Sequence, residues 1–187
     1  MRSGADSRAK NGETKGKRAA RRAESVILFA VASSTFAIAA TAVDEIRNTE
    51  GLKPLAHSPL AHAKLARVRH QLVRDGKTYF VVDAAFHFCM LPVPATRVLV
   101  LRNSSTAVLV SRIDRMAEIN AIYPLPRAFT GDERRWYRGL ALMSVSGRGQ
   151  DEDVVPVVNP ESFLGAVEQQ ALAASVKAGK TKGAALA

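Results

Sequence analysis

The feature that most constrains the fold is an uncharged stretch of nineteen residues, SVILFAVASSTFAIAATAV, at residues 25–43. It follows the basic run KGKRAARR and ends at Asp44 and Glu45. A basic start, an apolar run and an A-x-A site at residues 40–42 are typical of an export signal. The length also suits a membrane anchor, since about twenty apolar residues span a bilayer. A third interpretation is a pair of buried strands.

The middle of this stretch favours strands. Ser33, Ser34 and Thr35 interrupt it, and much of the remainder is alanine, so the segment is weakly hydrophobic for a membrane helix. The flanking runs VILFAVA and TFAIAA are rich in Val, Ile and Phe, and small polar residues suited to a turn join them, which is typical of a β-hairpin. Taken alone, the segment leaves the export signal and the hairpin as equal alternatives.

Charge is concentrated at the two ends of the chain. Residues 1–22 carry a net charge of +6 and residues 166–187 carry +2, out of +10 for all 187 residues. The middle is therefore nearly neutral, and the basic residues are not interleaved with aromatic ones. This pattern argues against a nucleic-acid partner.

The sequence contains no pattern for catalysis or for a bound metal or cofactor. The single cysteine, Cys89, cannot form an internal disulfide, and the four histidines belong to no metal-binding motif. We find no nucleophile with a supporting base and no glycine-rich phosphate loop. The stretch Gly147-Arg148-Gly149 is followed at once by acidic residues and is interpreted as part of a hairpin insertion. We therefore predict a protein that is not an enzyme and uses no cofactor.

Short β-type segments continue down the chain. KTYFVVDAAF (77–86) follows the turn signal Asp75-Gly76, and RVLVLR (97–102) and AVLVSR (107–112) flank a polar turn at 103–105. DVVPVVN (153–159) is another strand, in which Pro156 predicts an edge position or a bulge because proline has no N–H to donate. Several short strands at close spacing predict a sandwich or small barrels.

One helix is predicted near the C-terminus. Asn159 suits the N-cap and Pro160 the first helical position, and Gly179 is expected to end the pattern. The apolar residues recurring every fourth position, expected to face the β core, are Phe163, Val167 and Ala171. The predicted organisation is a basic tail at residues 1–23, a domain at 24–165, and a helix with a mobile tail at 166–187.

The order of these segments resembles the CheW-like domain family. FAIAATAVDEIRNTEGLKPL is similar to the family's opening strand, its V-x-E-I element and the proline-containing segment after it. GKTYFVVDA is similar to a strand that ends in aspartate, and RVLVLRNSSTAVLVSRIDRMAEINAIYPLP to the hairpin and following run of the second half. YRGLALMSV and DVVPVVNPESFLG resemble the closing pair. The resemblance covers roughly residues 24–165.

This resemblance implies an all-β fold of two packed five-stranded SH3-like β-barrel subdomains, here with a C-terminal helix. It implies a non-catalytic adaptor that couples methyl-accepting chemoreceptors to the regulatory domain of the histidine kinase CheA. Such a protein is cytoplasmic and associated with membrane-bound receptor complexes, and the basic N-terminal tail would be attracted to the anionic membrane surface. The order of segments favours the hairpin at residues 25–43, and an exported or anchored β protein is the alternative.

The resemblance also implies two groups of partner-binding residues. The V-x-E-I element corresponds to a kinase contact, and the family's Asn-Leu-Arg-Gly motif lies on its interaction surface. In this chain the motif position reads Val73-Arg74-Asp75-Gly76, where the glycine matches and the arginine stands one residue early. A one-residue shift turns a side chain to the other face of a strand unless a bulge compensates. The predicted binding residues are Val43, Glu45, Ile46 and Arg47, together with Arg74, Asp75 and Gly76.

Overall fold

The computed structural model describes residues 23–55, 65–144 and 152–184. In these ranges the chain forms eleven strands and two α-helices. The strands are β1 (Glu24–Val31), β2 (Ser34–Ala39), β3 (Val43–Asn48), β4 (Lys53–Pro54), β5 (Val68–Arg74), β6 (Lys77–Asp83), β7 (Arg97–Leu101), β8 (Thr106–Val110), β9 (Arg112–Ile119), β10 (Tyr137–Ser144) and β11 (Glu152–Val158). The helices are α1 (Ala84–His87) and α2 (Ala166–Ala184). The predicted basic tail, up to residue 22, and the predicted insertion around Gly147 lie outside the described residues.

The strands form two sheets. The first sheet has the order β10-β11-β2-β1-β9, and the second has the order β3-β7-β8-β6-β5-β4. The chain leaves the first sheet after β2, builds the whole second sheet, and returns to the first sheet at β9. The predicted all-β fold of two β subdomains is confirmed. The second sheet has six strands and not the predicted five, because the two-residue β4 pairs with β5 at its edge.

The core consists of three layers of buried apolar side chains. A central cluster joins the sheets and includes Ile27 and Phe29 from the first sheet with Val82 and Leu99 from the second. A first-sheet cluster is built on Val26, Leu28, Ala37, Ile119, Ala141, Met143, Val155 and Val157. A second-sheet cluster is built on Leu72, Tyr79, Val81, Val98, Val100, Ala107 and Leu109. Each sheet therefore buries one face in a cluster of its own. The inner strands of each sheet also bury their opposite face, in the central cluster.

This layering explains the uncharged stretch that opened the sequence analysis. Residues 26–31 of β1 are all buried, because Val26 and Leu28 enter the first-sheet cluster while Ile27 and Phe29 enter the central cluster. A strand buried on both faces has no polar alternation, so its sequence is continuously apolar. β1 and β2 pair as an antiparallel hairpin, as predicted, with Val31 opposite Ser34. Within the described part of the chain, none of the helices has the length and apolarity needed to span a membrane.

The predicted tight turns are present. Asp75 and Gly76 have φ of 49° and 75° and connect β5 to β6 as a two-residue hairpin. Two consecutive residues at positive φ match the right-handed twist of the paired strands, and glycine adopts this conformation without steric cost. The turn between β7 and β8 begins with Arg102 and Asn103, and Asn103 has φ of 55°.

The prediction for Pro156 is wrong. β11 lies between β10 and β2, so Pro156 is in an interior strand, opposite Leu140 and in regular register. The register shift in this pair falls instead between Tyr137 and Gly139 of β10. β11 pairs with β2 at a single position, Val157 with Ala37. Because this ladder is so short, it uses few of the N–H groups of β11, and the missing N–H of Pro156 is tolerated.

The helix start predicted at Asn159-Pro160, the end predicted at Gly179 and the predicted buried face are also wrong. The side chain of Asn159 caps a short 3-10 turn at Pro160–Ser162, and α2 begins only at Ala166 and continues past Gly179. Phe163 is buried before the helix starts, whereas Val167 is 79% exposed. Leu172 is the buried helical residue, and Val176, one turn later, packs against the same central cluster. The break at residues 163–165 shifts the helical phase, so the every-fourth-residue pattern did not identify the buried face.

Candidate protein-binding site

Arg74 binds three carboxylates and brings the two predicted groups of partner-binding residues together. Its Nη1 lies 2.9 Å from Oδ2 of Asp44 and 3.0 Å from Oε2 of Glu45, and its Nε lies 3.2 Å from Oδ2 of Asp75. Arg47 adds a longer contact of 3.6 Å to Glu45. We call this set, together with Arg102, whose Nη2 is 3.9 Å from Oδ1 of Asp44, the Arg74 ion cluster.

The curvature of the second sheet makes this cluster possible. β3 is one edge of the sheet, and β5 lies next to the opposite edge, with β7, β8 and β6 between them. A direct contact between Arg74 and Asp44 therefore requires the sheet to curl until its two ends meet. Leu72, two residues before Arg74 and on the same face of β5, belongs to the second-sheet cluster. So does Val100, which pairs with Glu45. The ion cluster thus lies on the inner face, where the curled sheet is open.

A β-bulge in β3 allows two adjacent carboxylates to reach one guanidinium. Val43 pairs with Leu101 and Glu45 pairs with Val100, so Asp44 is an extra residue without a partner in β7. In a regular strand, residues 44 and 45 would point to opposite faces. The bulge breaks this alternation and re-aims a side chain, as bulges do near functional sites. No such irregularity occurs at Arg74, since Val73 and Arg74 pair in register with Thr78 and Lys77.

The electrostatics of the cluster are balanced. The hydrogen bond from Arg74 to Asp44, supported by the charge of Glu45, raises the pKa of Arg74 above its ordinary value against a smaller effect of burial. Three basic residues and three acidic residues take part, so the site has no net charge. A partner would therefore be recognised by the positions of individual charges and not by a field of one sign.

The remaining predicted residues occupy different positions around the cluster. Val43 is only 6% exposed and belongs to the central cluster, so its side chain is not on the surface. Ile46 is 41% exposed, although it pairs with the fully buried Leu99. Gly76 occupies the turn after Arg74, with no atom close to where a Cβ would be. The accessible part of the site is therefore Ile46 and the charged residues.

Sequence analysis missed Asp44 and Arg102. Asp44 lies inside the V-x-E-I element, at the position that the motif leaves unspecified, and only the bulge reveals its orientation. Arg102 follows β7 and reaches back to β3, where its Nη2 lies 3.4 Å from the carbonyl oxygen of Val43. No local pattern relates residues 102 and 43. Among the described residues, no three His, Cys, Asp or Glu side chains are grouped so that they could hold a metal ion.

Comparison with known proteins identifies the family. A family model described as CheW-like domain matches residues 25–168, which include both sheets and the first residues of α2. The chain belongs to the CheW-like domain family. This family consists of scaffold and adaptor domains of chemotaxis-type signal transduction. No curated protein sequence matches the chain.

A solved structure of a CheW protein has the same fold. The chain is similar to the scaffolding protein TtCheW from Thermoanaerobacter tengcongensis, with a TM-score of 0.61 and 15% sequence identity. The match covers 79% of this chain and 97% of that chain. The CheW-like fold is therefore retained while most side chains differ.

Proposed function

We propose that this CheW-like protein couples chemoreceptors to a CheA-type histidine kinase as a non-catalytic adaptor. The observation that carries the proposal is the Arg74 ion cluster, because it joins the V-x-E-I element to the turn at residues 75–76. Family resemblance assigns the V-x-E-I element to the kinase contact and the turn at residues 75–76 to the interaction surface. A protein with this role works in the cytoplasm beside membrane-bound receptor complexes, and the basic N-terminal tail would add attraction to anionic lipid.

The proposed kinase contact uses Glu45, Ile46 and Arg47. Ile46 offers an exposed apolar side chain between two charged neighbours, and such a combination suits a small interface with an apolar centre and a polar rim. The proposed receptor contact uses Arg74, Asp75 and Gly76. Since Arg74 is paired with Asp44 and Glu45, we expect the loss of one contact to alter the position of the other.

The first test is a titration of the full chain against the regulatory domain of a CheA from the same source, at low and physiological salt. We expect saturable binding at micromolar affinity or tighter that persists at physiological salt, because specific contacts survive screening better than general charge attraction. Binding that disappears at physiological salt would contradict the proposal.

Glu45→Arg tests the kinase contact. We expect affinity for the regulatory domain to fall at least about tenfold, because the substitution reverses an interface charge and places a third cation beside Arg47 and Arg74. Glu118→Arg is the matched control, since Glu118 is exposed on β9 of the other sheet. Circular dichroism should show that both variants fold. Wild-type affinity in Glu45→Arg would remove Glu45 from the contact.

Exchange of the two charges separates a structural role of the cluster from direct contact. Arg74→Glu combined with Glu45→Arg restores an ion pair of the opposite polarity. Recovered kinase binding in the double variant would mean that the pair only shapes the site. Binding that stays weak would mean that the partner contacts Glu45 itself, which is the result we expect.

A further inference from the structure

A surface loop after β6 carries a second long uncharged stretch, AAFHFCMLPVPAT at residues 84–96. The stretch at residues 25–43 is uncharged because β1 and β2 are largely buried, but burial does not explain this one. Leu91 is 83% exposed, the largest value among the large apolar side chains that the structure describes, and Phe86 is 48% exposed. We call residues 86–94 the apolar loop. Its exposed residues are Phe86, Cys89, Leu91, Pro92 and Pro94.

The apolar loop is held in place by its buried residues. The ring of Phe88 is 7% exposed and stacks on that of Phe36, with 4.6 Å between the two centroids. Met90 packs against the central cluster. Phe86 and Leu91 are therefore presented to the surroundings by a fixed framework, so binding through them would cost little conformational entropy.

The backbone of this segment has few free hydrogen-bond donors. Pro92 and Pro94 have no N–H. The N–H groups already bonded within the protein, to the side chain of Asp83 or to backbone carbonyl oxygens, are those of Ala85, Phe86, Phe88, Cys89, Met90 and Thr96. A donor without a partner is costly in lipid, whereas in water the solvent satisfies it. Exposed apolar side chains on a backbone with few free donors therefore suit contact with an apolar medium.

The size of the exposed patch favours a lipid bilayer over a protein partner. A stable protein interface uses about 20–30 residues on each side and a surface of matching shape. The apolar loop offers five exposed residues, and the side chain of Leu91 stands clear of its neighbours. A fluid bilayer accepts a protruding side chain without a preformed pocket. Two large apolar side chains can therefore add to an attraction of another kind.

Positive charge supplies this other attraction. The chain has a net charge of +10, and anionic lipid headgroups attract basic segments such as residues 1–22. Arg97 follows the uncharged stretch directly and is exposed, and among the described residues its guanidinium forms no ion pair. Glu50 follows β3, whose Asn48 pairs with Arg97, so the charge near the loop is mixed and most of the attraction comes from the whole chain. Stable peripheral binding takes two signals, and charge and apolar insertion are such a pair.

We propose that the apolar loop inserts the side chains of Phe86 and Leu91 into the surface of an anionic lipid bilayer. The insertion is shallow and ends at the boundary between headgroups and acyl chains, because the carbonyl oxygens of the loop still need water. The basic tail and Arg97 stay among the headgroups. This lipid site is separate from the adaptor site, so vesicle binding and kinase binding are tested independently.

The first test is co-sedimentation of the full chain with vesicles of equal parts phosphatidylcholine and phosphatidylglycerol, and with vesicles of phosphatidylcholine alone. We expect saturable binding to the anionic vesicles. Leu91→Ser should weaken this binding about tenfold, because it removes the most exposed apolar side chain from the lipid contact. Val167→Ser is the matched control, since Val167 is 79% exposed on α2, and it should bind as the wild type. Both positions are exposed, so neither substitution should change thermal stability.

The salt concentration distinguishes insertion from charge attraction. Added salt should weaken vesicle binding of wild type and Leu91→Ser alike, because screening acts on the charges and not on the apolar contact. The ratio of the two affinities should therefore stay near about tenfold. No binding to anionic vesicles, or equal affinities of wild type and Leu91→Ser, would overturn the proposal, since charge alone would then account for any attraction.

Cys89 reports directly on the loop, because it is the only cysteine of the chain and is exposed. Anionic vesicles should slow its modification by a polar, water-soluble maleimide in proportion to the fraction of protein bound. Undiminished modification of vesicle-bound protein would contradict insertion. Slow modification without vesicles that is relieved by dilution would overturn the lipid assignment and indicate a contact between two copies of the chain.

Discussion

At the scale of single residues, the imidazole of His87 lies in an environment that is unfavourable for a charge. It is 4% exposed, and its ring lies 4.9 Å from those of Phe88 and Phe163 and 5.1 Å from that of Trp136. Burial, and to a smaller extent the charge of Arg67, lower the pKa of His87 from 6.5 to about 3. The folded protein therefore keeps this histidine neutral, and the side chain acts as part of the aromatic packing.

This residue predicts how stability depends on pH. Below pH 6.5 the unfolded chain binds a proton at His87 that the folded chain does not bind until about pH 3. The contribution of the neutral His87 to the free energy of unfolding is therefore fully present above pH 6.5. Between pH 6.5 and about pH 3 it falls by about 1.4 kcal/mol for each pH unit. Urea unfolding at pH 7, 6 and 5 should give a steeper loss for wild type than for His87→Leu, and equal slopes would contradict the assignment.

At the scale of elements, burial on two faces distinguishes the inner strands. On β8, Ala107 and Leu109 enter the second-sheet cluster, while Val108 enters the central cluster. The outer strand β9 has exposed residues such as Met116 at 67%. The apolar runs of β1 and β8 therefore mark strands that are buried on both faces, whereas the mixed run of β9 marks an edge strand with exposed residues.

Among its described side chains, the helix α2 is held by the buried Leu172 and by several polar contacts. Leu172 is fully buried, the side chain of Gln169 accepts from the N–H of Ser105 over 3.2 Å, and Arg67 bonds Glu168. Arg67 also donates to the carbonyl oxygen of Phe163, just before the helix, over 3.1 Å. The described contacts that dock α2 therefore lie in its first three turns, since Val176 also packs against the central cluster.

Leu172→Ala and Val167→Ala are a matched pair that tests this docking. We expect Leu172→Ala to lower the free energy of unfolding by about 2–5 kcal/mol, since it leaves a cavity in the central cluster. Val167→Ala should change it by less than about 0.5 kcal/mol, because Val167 is 79% exposed. Chemical denaturation measures both values. A larger loss of stability in Val167→Ala than in Leu172→Ala would instead support the buried helix face that the sequence pattern predicted.

At the scale of the whole molecule, the central cluster joins the two subdomains. It contains Phe36 and Ile38 from the first sheet and Phe80 and Leu101 from the second, with Trp136 packed against it. The first sheet is also discontinuous in sequence, since β2 and β9 are separated by the whole second sheet. The first sheet cannot be completed until the chain has passed through the second, and the two sheets share the central cluster, so we expect the described domain to unfold as one unit.

The single tryptophan allows this expectation to be measured. Trp136 fluorescence reports on the central cluster, while far-ultraviolet circular dichroism reports on all strands. The two denaturation curves should coincide, as they do for a two-state transition. Phe29→Ala in the first sheet and Leu99→Ala in the second should shift both curves together. A fluorescence transition separated from the dichroism transition would show that the subdomains unfold independently.

Much of the fold and part of the site were predictable from the sequence. The turn at Asp75-Gly76 and the hairpin after Leu101 were identified because turn residues are contiguous with apolar runs in the chain. Glu45 and Arg74 were nominated from family resemblance, and their roles in binding stay predictions. Their direct contact was not foreseen, because it depends on a bulge at Asp44 and on the curvature of a sheet.

The sequence by itself determined the apolar strands β1, β2, β6, β7, β8 and β11, the turns beside them and the β class of the fold, since these follow from residues within a few positions of one another. Only the tertiary structure decided the parallel pairings of β6 with β8 and β11 with β2, the interior position of Pro156 and the buried face of α2. It also decided that Arg74 meets Asp44 across the opening of a curled sheet. These features depend on burial between distant segments, which no local pattern encodes.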